Sequence, residues 1–498
     1  MKVFGKKISL STPSVVLLVI ALAAFFIFWK LGKPALIDWD ESIYAAVARE
    51  MVERNDFLTL FWNKQTFFEK PPLYFWLTAG MFKLFGVSEF TARFWSAWAG
   101  VLGVGVVYVF GRALFDKFVG LVSAFSLATT VHWIHQARLA MLDVFAAVLV
   151  TSALFFFWQA WEKGERKFWC LYGLFTGLVF MAKGPLALLP ITIVAFFVFF
   201  QFFVKQGKLA FGRIFKGALL AAGVFLLVVV PWHALMIFKH GESFVEEYFL
   251  YHMFRRAQVG IEQHGKPFFW YLVVIKHWGR LWAAVALLAL PAAFANAVYN
   301  FRNELGDAFM FCLLWVVLTF LVFSTSASKI QWYIIPIYPV LAIVCGWFLL
   351  WLGKQVAQLL ARVSIFDFLL RNLALLFCVS VFFYGVLGVV LSKDQWYIED
   401  YNRGFAEASR MMQQVSSEDD VLLVAGSAPG VPIFYSGRKV RTASVDSVQR
   451  AAIGSGSFFA VTRQQVLEEI QEKDPAAGLS VYYKDFGYAL YGRKDAAE

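Results

Sequence analysis

Apolar residues recur along this chain in blocks of about 20, the length at which an α-helix crosses a bilayer, and that recurrence leaves few folds open. Hydrocarbon offers the backbone no hydrogen-bond partner, so a spanning segment is a helix or part of a closed barrel. With 60% hydrophobic and only 16% charged residues, the chain lies well below the roughly one quarter charged residues of an ordinary soluble domain. It reads as an α-helical polytopic membrane protein of about eleven spans. These are expected near residues 12–32, 89–112, 118–134, 140–161, 168–183, 185–204, 215–237, 270–294, 308–326, 331–352 and 367–391. The segment Lys30-Leu31-Gly32-Lys33 lacks a small-x-small cleavage pattern, so the first helix is expected to remain as an anchor.

The formal charge of +11 follows from the loops. Lys2, Lys6, Lys7, Arg112, Lys117, Lys163, Arg166, Lys167, Lys205, Lys208, Arg213 and Lys216 all fall on one side of the expected spans. The positive-inside bias makes that side, and the amino terminus, cytoplasmic. The basic residues punctuate helices and form no stripe, so no nucleic-acid partner is implied. Cys170, Cys312, Cys345 and Cys378 all sit in apolar blocks without a CxxC pair, which excludes a disulfide framework.

Three outer segments are too long for turns. The first, residues 33–88, holds two expected interfacial helices at 40–54 and 73–85. The second is 238–269, rich in His, Glu and Arg. The third begins near 393 and changes character. Val421–Ala425, Phe458–Val461 and Val481–Tyr483 read as strands, with helices at 402–415 and 462–472. The expected organisation is a membrane domain at 1–392 and a small α/β domain at 393–498, which the odd span count puts on the outer side.

Charged residues on that outer side point to chemistry. Asp40 and Glu41 open the first amphipathic helix, where acids also complement the helix dipole; Tyr44 follows one turn later. Glu69 and Lys70 precede Pro71-Pro72, which impose an extended entry into the next helix. Asp143 starts the fourth span, and an intramembrane carboxylate is a functional candidate by default; Arg138 is either its partner or an anion ligand. Lys183, before Gly184-Pro185, either snorkels to the interface or faces a cavity. Lys329, Tyr333 and Tyr338 gather at the start of the tenth span. His132 and His135 read as interfacial. His264 lies on the outer side, but one His with Glu69 falls short of the three or four ligands usual for zinc.

Taken together, Asp40-Glu41, Phe68-Glu69-Lys70-Pro71-Pro72 with Trp76, Ala137-Arg138-Leu139 with Asp143, Ala182-Lys183-Gly184-Pro185 and Lys329, Tyr333, Pro336, Tyr338-Pro339 resemble the aminoarabinose transferase and protein O-mannosyltransferase superfamily. These are type-C glycosyltransferases that use polyprenyl-phosphate sugars. The resemblance implies Asp40 as the principal catalytic carboxylate and Asp143 as a second active-site acid. It implies Lys70 and Lys183 on the donor phosphate, and Glu41, Tyr44, Arg138, Lys329, Tyr333 and Tyr338 among substrate contacts. Glu69 with His264 matches the metal-associated pair of the family, implying a divalent cation. Ile43 and Phe67 depart from the Arg and Tyr usual in aminoarabinose transferases.

The expectation is an inner-membrane glycosyltransferase facing outward. Its donor is a polyprenyl-phosphate-linked sugar, its acceptor an envelope glycolipid or a protein, and its other partners are membrane lipids. A flippase for a lipid-linked sugar would spread its charges along a path across the membrane, whereas here they crowd the outer side. An envelope scaffold would leave Asp40, Lys70 and Asp143 without a purpose.

Overall fold

The computed structural model describes residues 2–3, 6–7, 12–204, 211–255, 265–361, 380, 382–454, 456–475 and 478–493. The chain divides into two compact units. One comprises Met1–Trp29, Ser96–Arg138 and Leu142–Tyr397, and the other Lys30–Trp95, Leu139–Met141 and Ile398–Glu498. In chain order the main helices are α1 (Thr12–Phe28), α2 (Asp40–Arg54), α3 (Leu73–Phe85), α4 (Glu89–Leu114) and α5 (Lys117–Ala128). They continue with α6 (Val131–Ala137), α7 (Leu142–Lys163), α8 (Arg166–Lys183), α9 (Leu188–Val204) and α10 (Phe211–His240). The last long ones are α11 (Trp270–Tyr299), α12 (Glu304–Thr325) and α13 (Tyr338–Ala361).

The first unit is helical and makes this a multi-pass membrane protein. Among the described residues, seven helices are long and apolar enough to span, or eight if α5 and α6 form one bent span. Among the described residues the expected eleven are not all found as separate spans. Helix α1 has 17 residues. Helices α8 and α9 run as one 38-residue apolar stretch, with a 3₁₀ turn at Gly184–Ala187 where the Gly-Pro break was predicted. The predicted third span, 118–134, is bent by 63° between α5 and α6. At the bend the Thr129 and Thr130 hydroxyls donate back to the Phe125 and Ser126 carbonyls, each at 2.8 Å, and Thr130 N donates to the Leu127 carbonyl at 3.1 Å, one residue short of the helical pattern. Of the eleventh, Phe382–Leu391 is helical and 367–379 lies outside the described residues. The outer segment 238–269 is helical at its start, as α10 runs to His240 and a π-helix covers Val245–Arg255.

Small residues let two of these helices meet closely. A Cβ on Gly173 would lie 2.2 Å from the Ala221 carbonyl oxygen, and one on Gly177 would lie 3.0 Å from Val228 Cβ. Glycines one turn apart thus form the face of α8 that receives α10, the usual route to tight packing where lipid supplies no hydrophobic drive.

In the second unit, α2 and α3 have the bounds predicted from their periodicity, and Tyr44 packs edge-to-face on Phe75 with centroids 5.7 Å apart. The tail forms a five-stranded sheet from β1 (Val421–Ala425), β2 (Lys439–Ala443), β3 (Phe458–Arg463), β4 (Ser480–Asp485) and β5 (Tyr488–Arg493). The order is β2-β1-β3-β5-β4, parallel across β2, β1 and β3 and antiparallel from β3 onward. Helices Val445–Ile453 and Gln464–Lys473 cover it, burying Val448, Leu467 and Ile470 with Tyr491. Phe486 and Gly487, both at positive φ, close the β4–β5 hairpin.

The compact units do not follow the expected boundary at 392/393, because the first outer loop belongs with the tail. The reason is a set of hydrogen bonds. Ala35 N donates to Asp400 Oδ1 at 2.7 Å, Asn402 Nδ2 to the Leu36 carbonyl at 3.1 Å, and Leu36 N to the Tyr435 hydroxyl at 2.9 Å. Tyr435 in turn donates to Glu89 at 2.9 Å, and the Asn63 side chain pairs in both directions with the Val440 backbone.

Candidate active site

In the second unit, the chain reaches α2 through Trp39, held at φ 72° and ψ −135° without a side-chain cap, so Asp40 is the first helical residue and not the cap itself. Asp40 is half-buried, as are Glu69 and Lys70 just ahead of α3; Pro71 and Pro72 are buried. Glu41 is placed differently from the substrate contact expected of it. Its Oε1 accepts from Arg93 Nε and Ala140 N, both at 2.8 Å, and its Oε2 from Ile37 N at 2.7 Å and Arg93 Nη2 at 3.1 Å. Arg93 gives its remaining donors to the Leu31, Pro34 and Ala35 carbonyls at 2.8–3.1 Å. All five N–H groups of the guanidinium are thus used, and the segment before Asp40 is tied to the base of α4.

Arg93 is the residue that sequence reasoning missed. The signal was there: a cation near the positive amino-terminal end of a spanning helix is electrostatically misplaced unless a carboxylate answers it.

Burial also shapes Asp38. Desolvation raises its carboxyl to about 6, only partly opposed by the hydrogen bond from Val431 N. Glu50 is raised by burial as well, and accepts from Lys64 N.

The first unit brings three other candidates together. Asp143, in the first turn of α7, pairs with Nζ of Lys183, the last residue of α8. The same ammonium lies 4.8 Å from the centre of the Tyr333 ring. Acid at a helix start and base at a helix end each suit the local dipole. Lys183 therefore meets a carboxylate, where snorkelling or a bare cavity was expected. Arg138, read as a partner for Asp143 or an anion ligand, instead turns its Nη1 and Nη2 to the Phe26, Ile27 and Trp29 carbonyls at the end of α1, at 2.7–2.8 Å. Lys329 is buried and donates to the Ser326 carbonyl at 2.7 Å. Tyr338, expected at substrate, is buried among helices and shares a 2.8 Å hydrogen bond with His132. His132 is itself buried and stacked on Trp278, not interfacial as its sequence setting suggested.

His264 lies outside the described residues. Among the described residues no group of three or more His, Cys, Asp or Glu stands together as a metal site. Glu69 by itself does not make one.

A family profile described as dolichyl-phosphate-mannose-protein mannosyltransferase matches residues 69–234. The chain is 31% identical over 338 residues to undecaprenyl phosphate-alpha-4-amino-4-deoxy-L-arabinose arabinosyl transferase 2 of Pseudomonas fluorescens, covering 66% of this chain and 58% of that one. It is 30% identical over 350 residues to the corresponding transferase of Pseudomonas aeruginosa, covering 68% of this chain and 61% of that one. The matches thus span about three fifths of those relatives' own length. Among solved structures, ArnT from Cupriavidus metallidurans bound to undecaprenyl phosphate superposes with a TM-score of 0.74 at 20% identity, covering 97% of this chain and 98% of that one. That likeness is one of fold, and with the sequence relatives and the shared motifs it places the chain: it belongs to the aminoarabinose transferase and protein O-mannosyltransferase superfamily of the type-C glycosyltransferase fold.

Proposed function

We propose that this protein is a membrane glycosyltransferase that moves a sugar from a polyprenyl-phosphate donor to a lipid A-like or other cell-envelope acceptor. It works on the outer side of the inner membrane, with its amino terminus in the cytoplasm and its tail domain outside. The observation that carries the reading is the Asp40-Glu41 turn. Glu41 is held by buried donors and fixes the turn, and the adjacent half-buried Asp40 stands at the motif position that the resemblance marks for acid–base work.

In this reading Asp40 orients the acceptor oxygen and takes its proton where it carries one. That oxygen attacks the anomeric carbon, the bond from this carbon to the phosphate oxygen breaks, and polyprenyl phosphate leaves. One displacement inverts the anomeric centre. The resemblance assigns Lys70 and Lys183 to the donor phosphate, where an ammonium offsets the charge that develops as it departs. Asp143 holds Lys183 until the donor arrives, and an ammonium exchanges a carboxylate for a phosphate readily because it is a point charge with rotatable donors. The names of the Pseudomonas relatives support aminoarabinose as the sugar. The mannosyltransferase profile over residues 69–234 favours a second reading, transfer of a hexose to a protein.

Purified protein is given a synthetic polyprenyl-phosphate aminoarabinose and lipid A in detergent, and products are identified by mass spectrometry. Asp40→Asn is expected to lower turnover by about 10²-fold with an unchanged Tm. Near-normal turnover in that variant sinks the assignment of Asp40. Transfer from a mannosyl donor to a peptide, with none to lipid A, selects the second reading.

A further inference from the structure

The tail domain touches the turn before Asp40 at one corner. Gly430 opens the helix Gly430–Ser436, and a Cβ built on it would lie 2.3 Å from Ser42 Oγ. Next to it, Val431 N donates to Asp38 Oδ1 at 3.2 Å. Between these two contacts sits Trp39, at a positive φ that a large side chain keeps only when its surroundings enforce it. The enforcement is visible. Ser42 Oγ donates to the Trp39 carbonyl at 3.1 Å, Ile43 N donates to the same carbonyl at 2.9 Å, and Ser42 N donates to the Ile37 carbonyl at 3.2 Å. Behind the turn, Arg93 and Glu41 hold residues 31–41 in place.

We propose that the carboxyl-terminal domain is a positioning element for Asp40, with the Gly430–Val431 corner setting the Trp39 backbone twist that aims the carboxylate. The proposal rests on the reading of Asp40 as the reacting acid. Gly430 needs no contact with donor or acceptor to do this. Its missing Cβ lets the tail backbone approach Ser42, and that approach keeps Trp39 from relaxing into an ordinary extended or helical conformation, which would swing the Cα–Cβ bond of the next residue. A misplacement of about 1 Å at a reacting group costs up to about 10²-fold in rate, so a small shift at this corner is felt in turnover while substrate binding is spared.

The test uses the full-length protein in the same transfer assay. Gly430→Ala is expected to lower kcat by about tenfold or more, with donor KM within about twofold and little change in Tm. Adding Ser42→Ala removes the oxygen that the new methyl meets, leaving Ser42 Cβ at 3.4 Å. The double variant is therefore expected to recover the rate of Ser42→Ala alone. A wild-type kcat in Gly430→Ala overturns the proposal, as does a loss that Ser42→Ala fails to relieve, which marks simple damage to the tail helix. Asp40→Asn, run alongside, separates the two levels. If it is inactive while Gly430→Ala is normal, only the positioning role falls; if it retains turnover, the base assignment falls and the positioning role with it.

Discussion

Two acidic sites in this molecule solve the problem of a buried carboxylate in opposite ways. Glu41 and its partner Arg93 keep 2% and 0% of their side-chain surface exposed, and the arginine has no donor left over. Asp143 is nearly as buried at 4%, but its partner Lys183 keeps 19% exposed and also faces the Tyr333 ring. A guanidinium fork saturated by a carboxylate and three carbonyls is built to stay; a single ammonium against a single carboxylate is built to trade partners. The first pair reads as architecture, the second as machinery.

The comparison breaks most sharply at Glu41. Glu41→Gln leaves a buried guanidinium without its counter-charge, and breaking such a pair from one side costs about 3–5 kcal/mol. A large fall in Tm is expected, with residual activity tracking the folded fraction; a stable but inactive variant would instead move Glu41 into the chemistry. The lysines proposed for the donor phosphate behave the other way. Lys70→Ala is expected to cost about 2–4 kcal/mol in the transition state, read as kcat with the Tm nearly fixed, and normal turnover would reduce Lys70 to a loop anchor.

The smallest effect concerns Asp38, whose carboxyl is raised by burial from 3.8 to about 6. Between those values the folded protein holds a proton that the unfolded chain releases, so this group's contribution to stability falls as pH rises. Asp38→Asn keeps an oxygen for Val431 N and removes the buried charge. The variant is expected to melt higher than the parent above about pH 6, with the gap closing as the solution is acidified. A gap that is constant with pH would show that Asp38 is not the titrating group.

How much of this was legible beforehand depended on the kind of force involved. The periodicity of Ile43, Val47 and Met51 marked α2, and the apolar run after Pro72 marked α3, because both patterns are local. The strands at Val421, Phe458 and Val481 were readable for the same reason, whereas Lys439–Ala443, an edge strand with exposed charges, carries little apolar signal of its own; the apolar run Tyr488–Tyr491 was legible and went unread as the second arm of a hairpin. The bend at Thr129-Thr130 was hidden because no glycine or proline marks it in the sequence. Among the candidate residues, Asp143 and Lys183 stood out as charges in the wrong medium, and Asp40 through the company of Glu41, Glu69 and Lys70 in one loop. Arg93 escaped because its partner is 52 residues away, and Arg138 misled because no sequence pattern displays the backbone carbonyls that it binds at the end of α1.

The glycine face of α8 has a consequence for depth. The missing side chains at Gly173 and Gly177 let α8 seat closely on α10, and Lys183 ends that same helix about 9 Å beyond Gly177 at 1.5 Å per residue. The Lys183 backbone therefore stands at a fixed distance from that contact, as a graduation is measured along a ruler. That spacing belongs to the protein's own packing and not to the thickness of the bilayer around it.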